Sequence, residues 1–439
     1  MARSKTREQT PACLSCELHC SIKDDLNTIW RDSFLPGEGD PELERLVKTL
    51  FSTVAQLIKS GHITSPQQLG VAFAALFDLC ISLEYAALVA HTEWVYCPPT
   101  GNDPNGILFY PYVKACPRCA LYGSKYKITY SHKPGSDKIG SIAAKTLNTF
   151  LKVFASRTSR KWQVRQTQRR SYEVDVLLFN KDTLVLCEVK ASPLVAFPLA
   201  VKLNEPFTID RGDGERENLT THYEPANVDT HSEILLYVPN TPIGFFHLGK
   251  LGDYHPLKTF RQRYANDPNA VLSIIKSWQM FYEGYVSGWK ESSEPLKWLT
   301  FGCGGDVDDS KNLPGIDRTD DIKKGIYQVI KMGQRFAKQC AKRSIKVALV
   351  SNIHAIRHQK EYLHGLQEII WTYEPELQSC EDNDGANEWR KVRLRDLIKL
   401  YDAVITLTES HFRDAELRLS FSLDTLFTDI GGKQCATNP

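Results

Sequence analysis

Tyr172-Glu-Val-Asp-Val-Leu-Leu-Phe179, the turn Asn180-Lys-Asp-Thr183 and the run Leu184-Val-Leu-Cys-Glu-Val-Lys190 are the stretch on which the fold turns. Both flanks are dense in Val and Leu, which favour strands, and a polar turn joins them. With Lys181-Asp182 as the loop, Asn180 faces Thr183 and Asp175 lies directly opposite Glu188, the Cβ atoms about 5 Å apart. Like charges so placed destabilise a ladder. Glu188 also interrupts an apolar strand, where an ionised carboxylate is costly. A divalent cation between the two would remove both penalties. Lys190, two residues beyond Glu188, projects from the same face. Two carboxylates holding Mg²⁺ beside a lysine ammonium suit phosphodiester hydrolysis: the ion activates water, and the ammonium neutralises developing charge. Oxygen ligands favour Mg²⁺ over softer metals. The plain alternative is a solvated hairpin with incidental charges, against which the apolar flanks argue.

Outward from the hairpin the pattern alternates. Upstream, Ile139, Ile142, Ala143, Leu147, Phe150 and Phe154 recur at helical spacing after Ser136, a plausible N-cap, and a strand-like run covers Trp162–Gln168. Downstream, a helix is expected from Thr319 to about Cys340, with Ile345–Val350 as an apolar strand after it. Residues 193–317 read as an insertion containing strands at Ile234–Val238 and Gly244–His247 and a helix near Ala270–Tyr285. Without it, the order is helix, strand, strand, strand, helix, strand. The expected class is therefore α/β, or α+β mixed, with a mixed sheet. Residues 1–135 form a Cys-rich, helical N-terminal region with helices between Pro41 and Thr92 and a loop-like 93–135. Residues 136–192 and 318–352 form the core, and 353–439 a C-terminal part packed on it, with a helix over about Arg393–Tyr401 and a strand over Ala403–Leu407.

These residues resemble the PD-(D/E)XK nuclease superfamily, over less than a quarter of the chain. Asp175 matches its metal-binding aspartate, and Glu188-Val189-Lys190 its (D/E)-x-K. The resemblance implies an αβββαβ restriction-endonuclease-like core, with Mg²⁺ held by Asp175, Glu188 and the Val189 carbonyl. Glu173-Val174 stands where a Pro often precedes the aspartate. The first core helix has no interior acid, although many relatives place a metal-linked Glu there. Asp137 and Glu173 are the nearest substitutes; otherwise they are a helix-start charge and an exposed strand residue. Gln328 and Lys331 on the later helix could support the phosphate site or simply solvate the helix. No Gly-x4-Gly-Lys-[Ser/Thr] phosphate loop is visible. Among such nucleases the chain looks like a type II restriction endonuclease, acting on double-stranded DNA as a homodimer in the cytoplasm of a prokaryotic cell. Two other readings remain: a structure-specific repair or recombination nuclease, and a zinc-containing DNA-binding protein with a silent hairpin.

Twelve cysteines are too sparse for a disulfide scaffold, and seven of them fall in the first 119 residues. Cys13-x2-Cys16-x2-His19-Cys20 and Cys116-x2-Cys119 have the spacing of thiolate metal ligands in a reducing compartment. One structural zinc site from Cys13, Cys16, Cys116 and Cys119 is expected, or two separate sites, with Cys20, His19, Cys97 and His91 as alternatives. Free thiols and an iron–sulfur cluster are the competing readings.

A net charge of +2 over 439 residues does not mark a nucleic-acid binder, so any basic surface must be local. The run Arg157–Arg170 is one, with Lys161, Arg165, Arg169 and Arg170 expected to contact phosphates or, failing that, to be ordinary surface charge. The insertion is the best place for groups that read bases. No apolar run reaches the roughly 18 residues of a membrane span, and the first residues lack a secretory signal.

Overall fold

The computed structural model describes residues 26–34, 40–100, 104–121, 126–158, 160–167, 173–210, 212, 215–302, 304, 306–307, 309–336, 343–366, 370–372 and 397–432. The chain begins with α1 (Leu26–Arg31), β1 (Ser33–Phe34), α2 (Pro41–Lys59) and α3 (Pro66–Ala86). Asp40 accepts a hydrogen bond from Leu43 N at 3.1 Å and Ser65 one from Gln68 N at 3.2 Å, with Pro next in each case. These are helix starts built from a capping acceptor and a residue that needs no N–H partner. Then come β2 (Trp94–Cys97), β3 (Ile107–Phe109), the short α4 (Pro117–Leu121) and α5 (Ser136–Arg157). Gly135, not Ser136, is the N-cap of α5, and no side chain caps it.

β4 (Gln163–Thr167), β5 (Val176–Phe179) and β6 (Thr183–Val189) follow. The insertion supplies β7 (Leu199–Lys202), the ribbon of β8 (Thr208–Asp210) and β9 (Arg216–Asn218), β10 (Tyr223–Ala226), β11 (Glu233–Tyr237) and β12 (Phe245–Lys250). It ends with α6 (Pro256–Arg263), α7 (Pro268–Val286) and α8 (Glu294–Lys297). After α9 (Thr319–Phe336) and β13 (Ser344–Ser351), β14 (Ile370–Thr372) pairs with β15 (Leu397–Lys399). β16 (Ala403–Thr406), β17 (His411–Phe412), α10 (Ala415–Phe421) and α11 (Leu423–Gly432) complete the described chain.

The class is mixed α/β, and the larger sheet is mixed: β1-β4-β5-β6-β13-β16-β17. Strands β4, β5 and β6 run antiparallel, whereas β6, β13 and β16 are parallel. Val176 pairs with Cys187 and Phe179 with Leu184, so the register is the one the turn residues predict. Asn180 Oδ1 accepts from Asp182 N and Thr183 N at 2.9 and 2.8 Å, closing the turn. Glu416, at the start of α10, clamps it from outside by accepting from Asn180 Nδ2, Thr183 Oγ1 and Lys346 Nζ at 2.8–2.9 Å.

Helix α5 buries Ile139, Leu147, Phe150 and Phe154 in the cluster that takes Val176, Val185 and Cys187 from one side of this sheet. Helix α9 buries Ile322, Ile326, Val329 and Met332 with Leu177, Leu184, Leu186 and Leu349 from the other. A sheet covered on both faces explains why its parallel strands read as unbroken apolar runs.

Three features depart from the sequence reading. Residues 93–135, expected as loop, supply β2 and β3, which join β7 and β10–β12 in one six-stranded antiparallel sheet, β10-β2-β3-β7-β11-β12. These two strands are only four and three residues long, too short to show a period among Pro- and Gly-rich flanks. Where a helix was expected over about 393–401, the described part is strand β15, because a short apolar run such as Leu397-Ile-Lys-Leu fits either period. Finally, α3 is long and apolar enough to cross a membrane by composition, yet nearly all of it is buried in the core, against α5, α7 and α11.

Asp78, on α3, is fully buried and ties the segment after β6 to α7. Its Oδ2 accepts from Leu194 N, Val195 N and Trp278 Nε1 at 3.0, 2.9 and 2.7 Å. Burial pushes its pKa up to about 8, against the opposing pull of those three donors. The folded protein therefore keeps a proton that the unfolded chain loses near pH 4, so the stability from this group is full below about pH 4 and lost as pH rises through about 8. Asp78→Asn keeps an acceptor oxygen without a titratable proton. Its melting temperature should gain on the native protein between about pH 5 and pH 8.5 by calorimetry; a difference independent of pH would contradict this account.

Candidate functional site

The β5–β6 register extends one residue past the ladder to set Asp175 opposite Glu188. Asp175 N donates to Cys187 O at 2.9 Å, and Val189 N donates to Asp175 Oδ2 at 2.8 Å, so the backbone of β6 holds the aspartate at both ends. The Asp175 carboxyl is within hydrogen-bonding reach of Glu188, which is 6% exposed, and Lys190 Nζ donates to Glu188 Oε1. Lys190 N in turn bonds Val350 O at 2.9 Å, anchoring the lysine to the parallel neighbour β13. The three side chains the hairpin arithmetic selected are thus together.

Charge at the pair is only partly compensated. Burial, followed by the charge of Asp175, pushes Glu188 up to about 7 despite Lys190. Burial also raises Asp175, against its bond from Val189 N and the charge of Lys190. Burial disfavours the Lys190 ammonium, but Glu188, then Asp175 and Asp321, more than offset that and raise its pKa. Two carboxyls and one ammonium thus share a site in which burial, not a partner, sets the direction of both acid shifts.

Helix α9 closes over this site through Gly325. A Cβ there would lie 2.8 Å from Leu349 Cδ1 and 3.5 Å from Lys190 Cγ, so glycine lets the helix lie close on β13, and a side chain in its place would have to displace the end of Leu349. Of the auxiliary residues, Glu173 is ion-paired to Lys331 at 2.5 Å and Arg335 at 2.8 Å, which commits both Glu173 and Lys331 to tying the start of β5 to α9. Gln328, one turn beyond Gly325, has its Oε1 buried with no hydrogen-bond partner among the described residues. Asp137 is exposed in the first turn of α5.

The basic run divides. Arg165 is not free for a phosphate: its Nε donates to Ser33 Oγ at 2.6 Å, its Nη2 to Ser33 O, and its guanidinium lies 5.7 Å from the Trp30 ring. Strand β1 needs these donors at the sheet edge, which takes Arg165 out of the proposed DNA contacts. Trp162 is buried against Phe421 at 5.3 Å between centroids. Lys161 is exposed, with a φ of 51°. Arg169 and Arg170 lie outside the described residues.

A second cluster lies on the smaller sheet. Cys97, Cys116, Cys119 and His222 bring their ligand atoms within 4.8 Å of one another, a set that could hold a metal such as zinc. Cys97 Sγ and Cys119 Sγ are 3.8 Å apart, and Cys119 Sγ is 3.2 Å from His222 Nε2. Hydrogen bonds with Cys116 and Cys97 pull the Cys119 thiol down to about 3, while hydrogen bonds with Cys119 and Cys97, then burial, push Cys116 up. The spacing of Cys116 and Cys119 is legible in sequence, and Cys97 stood among the alternatives. His222, about a hundred residues downstream, carries no local signal. His91 is exposed and enters only through its carbonyl, which accepts from Val228 N. Cys13, Cys16, His19 and Cys20 lie outside the described residues.

Compared with known proteins, the chain matches no family model, no curated protein and no solved structure.

The Gly325 contact gives a direct test. Gly325→Val should cost about 1–3 kcal/mol in denaturant unfolding through overpacking against Leu349, whereas Gly333→Val, whose Cβ would meet Val347 only at ordinary contact distances of 3.6–3.8 Å, should cost less. Equal losses would mean that α9 does not depend on the close approach at Gly325.

Proposed function

We propose that this chain is a metal-dependent endonuclease that hydrolyses phosphodiester bonds in double-stranded DNA. What carries the reading is the opposed pair of half-buried Asp175 and buried Glu188, with Lys190 on Glu188. The order α5-β4-β5-β6-α9-β13, with β6 and β13 parallel neighbours, supports it as the order of a restriction-endonuclease-like core.

Each residue has a distinct task in this scheme. Asp175, fixed by Val189 N–H, and Glu188 are the residues that would hold Mg²⁺, with the Val189 carbonyl as a third oxygen. Bound there, a divalent cation supplies polarisation of the phosphate and a water of lowered pKa. Lys190 then orients the attacking water or neutralises charge on the phosphorane-like transition state. Its backbone N–H is held by Val350 O and its ammonium by Glu188 Oε1, so the side chain is placed before DNA arrives. Gln328 is the auxiliary side chain of α9 with acceptor capacity to spare. In this reading the protein is a sequence-specific type II restriction enzyme of a prokaryotic cytoplasm, and a homodimer because cutting both strands of a palindrome mirrors two-fold symmetry.

Incubation with plasmid and Mg²⁺ tests it. The native protein should give discrete fragments, and Lys190→Ala should slow cleavage on the order of 10²–10³-fold. Asp175→Asn should abolish cleavage while DNA binding by gel shift stays within a few-fold of native. Structure-dependent nicking in place of discrete fragments would make it a repair or recombination nuclease. Near-native cutting by either variant, or no cutting of any DNA by the native protein, would overturn the assignment.

A further inference from the structure

The Cys97, Cys116, Cys119 and His222 cluster takes no part in the chemistry proposed above, and it stands on the smaller sheet. Its parts converge from three places. Cys97 ends β2, and β10 pairs antiparallel with β2 at Tyr223 and Tyr96. One more step of that register places His222 opposite Cys97. Cys116 and Cys119 straddle the start of α4, where a three-residue step puts both thiols on one side of the first turn. The His222 ring is stacked on Tyr126 at 3.7 Å between centroids and 7° between planes, and Cys116 N bonds Tyr126 O at 3.2 Å. The imidazole plane and the cysteine backbone are therefore fixed by the same tyrosine.

We infer that these four residues are the complete ligand set of one structural zinc ion, with three sulfurs and one nitrogen. Three thiolates and one imidazole are a set that zinc takes in closed tetrahedral sites. The imidazole in place of a fourth thiolate separates it from the all-cysteine ligation usual for iron–sulfur clusters. Hard ions such as Mg²⁺ are excluded by the sulfurs. Four protein ligands leave no open position, so the ion is a clasp rather than a reagent.

The physical need for a clasp is local. Cys97 and Cys116 belong to a small apolar cluster on this sheet, with Ile107, Phe109, Ala200, Leu235 and Tyr237, far smaller than the main core. Strand β10 is an edge strand held to β2 by a ladder with an irregular register. A zinc ion bonded to β2, α4 and the residue before β10 joins segments that are more than a hundred residues apart in sequence. Its binding energy then becomes folding energy for this sheet.

Zinc content and X-ray absorption of the purified protein decide the matter. The native chain should carry zinc with about three sulfurs at roughly 2.3 Å and one nitrogen at roughly 2.0–2.1 Å. Cys97→Ser and His222→Asn should each lose about one equivalent of zinc. Cys13→Ser/Cys16→Ser should keep at least one, and adding Cys97→Ser to that pair should remove it. Should the single variants fail to fold, the sulfur-to-nitrogen count of the native protein still decides. A four-sulfur shell, iron in place of zinc, no bound metal, zinc unchanged in Cys97→Ser and His222→Asn, or zinc lost from the Cys13→Ser/Cys16→Ser chain would each overturn the inference.

Discussion

Two carboxyl groups face each other across the β5–β6 ladder in a sheet covered by helices on both sides, and a protein interior bears that arrangement only with compensation. The surrounding structure is organised around it. The Asn180 turn and its Glu416 clamp fix the register that opposes Asp175 to Glu188, since a slip of one residue would turn the acids to opposite faces. The parallel partner β13 holds the backbone of Lys190, and Gly325 brings α9 down onto the lysine stem. With Lys190 bonded to Glu188, Glu188 remains shifted to about 7. In the proposed nuclease this residual strain is the affinity for a divalent cation.

The two sheets are joined by the core, not by the site. Asp78 on α3 accepts from the two backbone N–H groups that follow β6 by a few residues and from Trp278 of α7, so the exit from the carboxylate strand is pinned to the helical layer. Asn352 does the same at the neighbouring strand end, bonding both Ser192 N and Ser192 O. These links keep the tips of β6 and β13 in fixed relation while the insertion goes on to build the six-stranded sheet with its Cys/His cluster.

What could be read from the sequence follows the range of the forces involved. The β5–β6 hairpin was legible because a two-residue turn and a strict alternation of side chains leave one register. Helix α9 and strand β13 were legible because an apolar stripe must find a sheet and the next apolar run must join it. Strands β2 and β3 were not, because each has its other neighbour, β10 or β7, about a hundred residues downstream and their own length shows no period. His222 was invisible for the same reason: a histidine becomes a ligand by the company that tertiary structure gives it. Arg165 misled because a guanidinium in a basic run looks the same whether it meets a phosphate or the backbone of an edge strand.

The central claim is that Asp175 and Glu188 share a divalent cation, and anomalous scattering from a crystal grown with Mn²⁺ reads it without any assay. The account predicts a peak about 2.0–2.6 Å from carboxylate oxygens of both residues, with Lys190 released from Glu188 Oε1 or lengthened from it. A crystal saturated with Mn²⁺ that shows no peak there, with Lys190 still on Glu188 Oε1, would contradict it.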